Sequence, residues 1–180
     1  MMDCKKALVE SHGNLEISKK ILREKGLTIA QRKSSRIANE GIIDVYVHPG
    51  NRVGVIIEVN CETDFVARNK EFIDFVHNLT LQIAATNPLY VSRDDVPQPL
   101  IESESDIYGK QAIAERKNEA IVERVVKGKM EKFYAEVCLL EQPFIKDQEK
   151  KVGQLLIDLI ARVGENIEVR RFCRYQLCER

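Results

Sequence analysis

The sequence predicts an α+β fold, in which an N-terminal helical hairpin is followed by a three-stranded antiparallel sheet packed with helices. Three observations carry that expectation. Two β-branched runs flank a Pro49-Gly50 turn, apolar residues recur at helical spacing over 72–83 and again over 152–163, and strict alternation returns near the C-terminus.

Residues 2–11 and 15–25 read as two short helices broken at Gly13-Asn14, the second closing on Lys25 with Gly26 as its cap. Residues 27–40 carry Arg32, Lys33 and Arg36 with little apolar face, so they read as a basic linker or solvated helix. From Gly41 the period changes. Residues 42–47 and 52–59 read as the strands of a hairpin, with Pro49 and Gly50 in the central positions of a type II turn. Asn69 is the expected N-cap of a helix whose apolar face is Phe72, Phe75, Val76, Leu79 and Ile83, and Asn87-Pro88 ends it. Residues 89–91 read as a short extended piece and 94–99 as a proline-punctuated loop.

Residues 100–140 are charged and helical, with Ile121, Val122, Val125, Val126, Met130, Phe133 and Val137 as a stripe read as core packing. Val152, Leu155, Leu156, Leu159, Ile160 and Val163 trace an amphipathic helix closed by Gly164. Finally Ile167, Val169, Cys173, Tyr175 and Leu177 alternate with Glu168, Arg170, Arg174 and Gln176, a half-buried strand that joins the early hairpin. The organisation expected is a helical module at 1–26, a connection at 27–40 and an α+β core at 41–180, with a helical excursion at about 100–140.

Composition narrows the function classes. The chain is 44% hydrophobic and 31% charged over 180 residues, as an ordinary globular protein is. Lys+Arg 28 against Asp+Glu 28 gives no overall attraction for nucleic acid or an anionic membrane. The apolar runs are too short to span a bilayer, and the first residues have neither a signal-peptide nor a transit-peptide composition. An odd count of widely spaced cysteines, 5, argues for reduced thiols, and none of the three histidines stands at a metal-ligand interval from another His or Cys. No Gly-rich phosphate loop or nucleophile elbow occurs, and Cys61 has no nearby His. No cofactor and no catalytic residue is expected.

The informative segment is Asn60-Cys61-Glu62-Thr63-Asp64-Phe65-Val66-Ala67-Arg68-Asn69, between a strand and a helix. Two readings of it stand open. In one, which residue physics alone prefers, Thr63 or Asp64 caps a helix turn and Phe65 fills the core. In the other, Phe65 is a presented anchor for a partner. Arg170, Arg171 and Arg174 also make a small basic cluster, which an RNA-binding module would need interleaved with aromatics. Alternation sends Phe172 and Tyr175 to opposite faces, against that use.

At this junction the sequence resembles the elongation factor Ts family. Three segments carry the resemblance in the family's order: Met1-Met2-Asp3-Cys4-Lys5-Lys6-Ala7-Leu8, then Glu58 through Asn69, then Gly164-Glu165-Asn166-Ile167 through Arg170-Arg171-Phe172. Leu139 through Gln148 and the compact length resemble the short forms of cyanobacteria and plastids. The resemblance implies exchange of GDP on elongation factor Tu, in a plastid stroma or a bacterial cytoplasm. It assigns Thr63, Asp64, Phe65 and Val66 to disturbing that partner's Mg²⁺ site, and Met1, Met2 and Lys5 to touching its G domain. It also implies a homodimer and an N-terminal module like the ubiquitin-associated bundle. The family's usual first helix has no counterpart before Met1, so that bundle is expected to be incomplete. The main alternative is a non-catalytic helical interaction module.

Energetics limit the wedge. A 10⁴-fold weakening of GDP needs about 5.5 kcal/mol of differential contact, and the exchange factor is weakened by GDP in the same ratio. Burying one Phe contributes about 1.5–3 kcal/mol, so further contacts must share the work.

Overall fold

A computed structural model of the chain describes residues 2–114 and 119–178, the side chains of 119 and 120 excepted. Met1 lies outside the described residues. The N-terminal hairpin is present: α1 (Met2–Glu10) and α2 (Leu15–Lys33) meet at a turn where Gly13 takes φ 83°. The Asn14 side chain caps α2, accepting from the N–H groups of Glu16 and Ile17 at 3.0 and 3.1 Å. The hydroxyls of Ser11 and Ser18, 2.6 Å apart, tie the two helices together.

α2 corrects the expected stop at Gly26. It runs seven residues further, to Lys33, through what was read as a linker or solvated helix. Gly26 sits buried in mid-helix, facing Ala161 and Ile157, and Ala30 one turn on packs against the core. A Lys-Gly pair signals a cap only when nothing buries the following turn. Here a later helix does so.

β1 (Glu40–Val47) and β2 (Val53–Cys61) form the hairpin. In its turn Gly50 takes φ 93° and the Asn51 N–H donates to the His48 carbonyl at 2.9 Å, as a type II turn requires. A single-turn helix, α3 (Asp64–Ala67), leads to α4 (Lys70–Thr86), capped by the Asn69 side chain accepting from the Glu71 N–H at 2.9 Å. α5 (Gln98–Ala114) and α6 (Glu119–Val137) pack on each other. The small sheet β3 (Pro143–Phe144) with β4 (Asp147–Lys151) has no periodic signal in the sequence. α7 (Val152–Val163) ends at Gly164, φ 81°, and β5 (Ile167–Gln176) completes the chain's main sheet in the order β1-β2-β5, antiparallel throughout.

The core lies between the inner face of this sheet and two helices. Val55, Ile57, Val59 and Cys61 of β2 and Ile167 and Val169 of β5 meet Phe72, Phe75, Val76, Leu79 and Ile83 of α4 and Leu159 and Ile160 of α7. The stripe on α6 is a different matter. None of its members is fully buried and Ile121 is exposed, because α6 packs on α5 as a lateral hairpin rather than on the main core. Arg93 ties this hairpin down: it makes paired bonds to the Glu131 carboxylate at 2.9 and 2.7 Å and one to Glu141 at 2.7 Å, and lies over the Tyr134 ring. Lys151 completes the cluster with a 2.8 Å bond to Glu141.

β5 departs from simple alternation. Glu58 pairs with Arg171 and Val59 with Val169, leaving Arg170 as the extra residue of a β-bulge. The two sides exchange beyond it. Phe172, opposite buried Ile57, packs on the core, whereas Cys173 and Tyr175, read from alternation as partners of Ile167 and Val169, are exposed.

Candidate functional site

The junction after β2 is built from the backbone outward. Thr63 stays extended at φ −131°, ψ 155°, which turns the chain from strand to helix, and its hydroxyl oxygen accepts from the Val66 N–H at 3.5 Å. Asp64 opens α3 and pairs with Arg68 at 3.2 Å across one turn. Val66 and Ala67 point inward and are buried. Phe65 points the other way. Its side chain is 82% exposed, so of the two readings of this residue the core-filling one is corrected. With Val66 and Ala67 covering the core from a four-residue helix, the face that carries Phe65 is left to solvent.

The turn is braced from the far end of the chain. The Glu165 carboxylate, just after α7, accepts from the Thr63 N–H at 3.0 Å and from the Thr63 hydroxyl at 2.8 Å. Reciprocally, the Glu62 carboxylate accepts from the Asn166 N–H at 2.6 Å and meets Arg36 at 3.3 Å. The Asn166 side chain donates to the Arg36 carbonyl at 2.8 Å, and Lys33 donates to the Gly164 carbonyl. The Asn166 N–H, with Arg36, holds the Glu62 carboxyl below the usual carboxylate range. Cys61 lies beneath, donating to the Thr63 carbonyl at 3.1 Å, and burial pushes its thiol up to about 11. A thiol so raised is protonated at neutral pH and is no nucleophile.

Sequence reasoning missed Glu62, Glu165, Asn166 and Arg36. Glu62 and Glu165 both stand inside the segments that carry the family resemblance, yet no spacing rule brings together residues so far apart in the chain. Met2 and Lys5 are exposed on α1, which packs on α2 rather than on the junction. The three arginines of β5 do not make one basic surface: Arg171 pairs with Glu58 at 2.7 Å, Arg170 with Glu168 at 3.6 Å, and Arg174 is half-buried. Among the described residues no group of three or more His, Cys, Asp or Glu could hold a metal. No described helix is long and apolar enough to cross a membrane.

Fold and junction together define a mixed helix and sheet protein whose most distinctive surface feature is a braced, outward-facing aromatic. Comparison with known proteins gives the particular family. The family described as Elongation factor TS matches residues 9–179. Elongation factor Ts of Thermoanaerobacter sp. (strain X514) is 55% identical over 176 residues, 98% of this chain and 86% of that protein. That of Alkaliphilus oremlandii is 55% identical over 179 residues, 99% of this chain and 82% of its own length, and that of Moorella thermoacetica 51% identical over 179 residues, 99% and 88%. The chain belongs to the elongation factor Ts family and so to the elongation factors of protein synthesis.

Proposed function

We propose that the protein is a guanine-nucleotide exchange factor for elongation factor Tu and performs no covalent chemistry of its own. The observation that carries the reading is the Phe65 ring, solvent-exposed on a turn whose flanking residues are capped, buried and held by Glu165. A GTPase holds GDP partly through Mg²⁺, which demands near-octahedral oxygen ligation at short range. Inserting a phenyl ring beside that site displaces its loops, and Asp64 brings a carboxylate to the same place. Thr63 and Val66 act differently: they fix the turn, Thr63 as its cap and Val66 as its anchor in the core. Met1, Met2 and Lys5 add contacts to the partner's G domain, supplying binding free energy that one ring cannot.

A second copy of this chain is the proposed cover for the outer sheet face. Ile43, Val45, Val47, Ile56 and Tyr175 are exposed there, and its charged groups are paired within the face, Glu58 with Arg171 and Glu168 with Arg170. An apolar face with internally neutralised charge suits an identical partner better than a strongly charged one. Sedimentation at micromolar concentration showing only monomer would remove this part. The bacterial relatives favour a bacterial cytoplasm, with a plastid stroma as the equivalent setting. The exchange reading is tested by the release of fluorescent GDP from elongation factor Tu. Acceleration by sub-stoichiometric protein, reduced about a hundredfold in Phe65→Ala, is expected; no acceleration by the parent chain would overturn it.

A further inference from the structure

We propose that Glu165 is a positioning residue for nucleotide exchange, acting on Phe65 through Thr63; the inference rests on the exchange reading above. A single turn of helix has no stability of its own, because the nucleation cost is not recovered within four residues. The direction in which Phe65 points must therefore be imposed from outside α3. The internal cap is weak, since the Thr63 hydroxyl reaches the Val66 N–H only at 3.5 Å, beyond the usual range for such bonds.

Glu165 supplies what the cap lacks. Its two carboxylate oxygens take both hydrogen-bond donors of Thr63, the N–H at 3.0 Å and the hydroxyl at 2.8 Å. Bonds to an ionised acceptor are about twice as strong as neutral ones, and a two-point grip fixes orientation as well as distance. The neighbouring residues repeat the arrangement in reverse, Glu62 accepting from the Asn166 N–H at 2.6 Å. The dipeptides Glu62-Thr63 and Glu165-Asn166 thus clamp each other through two carboxylates. Gly164, at φ 81°, turns the chain out of α7 immediately before Glu165, and Lys33 at the end of α2 holds its carbonyl. The Phe65 turn is consequently referenced to α7 and β5 rather than to the loop in which it lies.

The test is the maximal rate of fluorescent GDP release from elongation factor Tu at saturating exchange factor, read separately from the half-saturating concentration. In Glu165→Ala the maximal rate falls about tenfold, while the half-saturating concentration moves less than about twofold, because the remaining contacts to the partner are intact. Glu165→Gln recovers to within about threefold, since the amide still accepts from the Thr63 N–H and donates to its hydroxyl. In a Phe65→Ala background, Glu165→Ala produces no further loss. An undiminished maximal rate in Glu165→Ala, or a full further loss without Phe65, overturns the proposal. Should Glu165→Ala fail to fold, Glu165→Asp takes its place: one methylene shorter, it cannot reach both donors, and a parent-like maximal rate would overturn the proposal equally. If the parent chain releases no GDP, the exchange reading itself has failed and this inference with it. If the parent is active and Phe65→Ala is not, while the Glu165 variants keep the maximal rate, only the role of Glu165 is refuted.

Discussion

Replacing Phe65 by Ala separates folding from function in a way that few aromatic truncations do. The ring is 82% exposed, whereas Phe72, seven residues on, is fully buried in the core. Truncating Phe72 removes packing on all sides and is expected to cost about 3–5 kcal/mol of stability. Truncating Phe65 removes almost none, and the expected change is within about 0.5 kcal/mol. On a partner the situation reverses. A Phe side chain offers about 200 Å² for burial, so the exposed share leaves about 160 Å² for an interface to cover. At about 25 cal/mol per Å² the ceiling is about 4 kcal/mol, and about 3 kcal/mol remains after allowing for the methyl that Ala retains. That corresponds to about a hundredfold loss in exchange. Urea unfolding of the two variants alongside GDP release from elongation factor Tu measures both quantities. A Phe65→Ala protein destabilised by more than about 2 kcal/mol would show that the ring is core after all. One that exchanges like the parent would refute the wedge.

Three further outcomes follow from the fold. Because the bulge at Arg170 turns Phe172 inward and Cys173 outward, Phe172→Ser should cost at least about 2 kcal/mol in urea unfolding and Cys173→Ser less than about 0.5. Gly26→Ala should raise stability by about 0.5–1 kcal/mol, since an added Cβ meets Ala161 at an ordinary 3.6 Å and the helix gains a better former; a true cap glycine would instead lose stability. Arg93 and Lys151 hold the Glu141 carboxyl down at about 2, so its folded value lies below its unfolded one. Its contribution is therefore fully present above the ordinary carboxylate range and is lost as pH falls from there toward about 2. Stability followed by urea unfolding over that window should drop by about 2 kcal/mol more in the parent than in Glu141→Gln, whose neutral amide has nothing to titrate.

Local rules governed what could be read in the chain directly. The Pro49-Gly50 turn, the break at Gly13-Asn14, the Asn69 cap, the Gly164 stop and the apolar face of α4 all stand where the sequence places them, because each depends on residues within one or two turns. The pairing of the last strand with the early hairpin joins residues far apart in the chain, yet it was also expected, because alternation marks 167–177 as a half-buried strand and the hairpin is a sheet that it can join. The β3–β4 sheet was not, its strands being too short to show a period.

The junction shows the division most clearly. By itself the sequence determined that Thr63 through Asn69 must turn a strand into a helix, and its family resemblance marked Asp64 and Phe65 as the residues to watch. It could not decide which way Phe65 points, because a four-residue helix has no periodicity and one buried neighbour is as good a guide as another. Only the tertiary structure decided that. Val66 and Ala67 take the places against the core, Glu165 arrives from beyond α7 to hold Thr63, and the ring is left outside. The same cause, contact between residues distant in the chain, carried α2 past Gly26 and exchanged the two sides of β5 at Arg170.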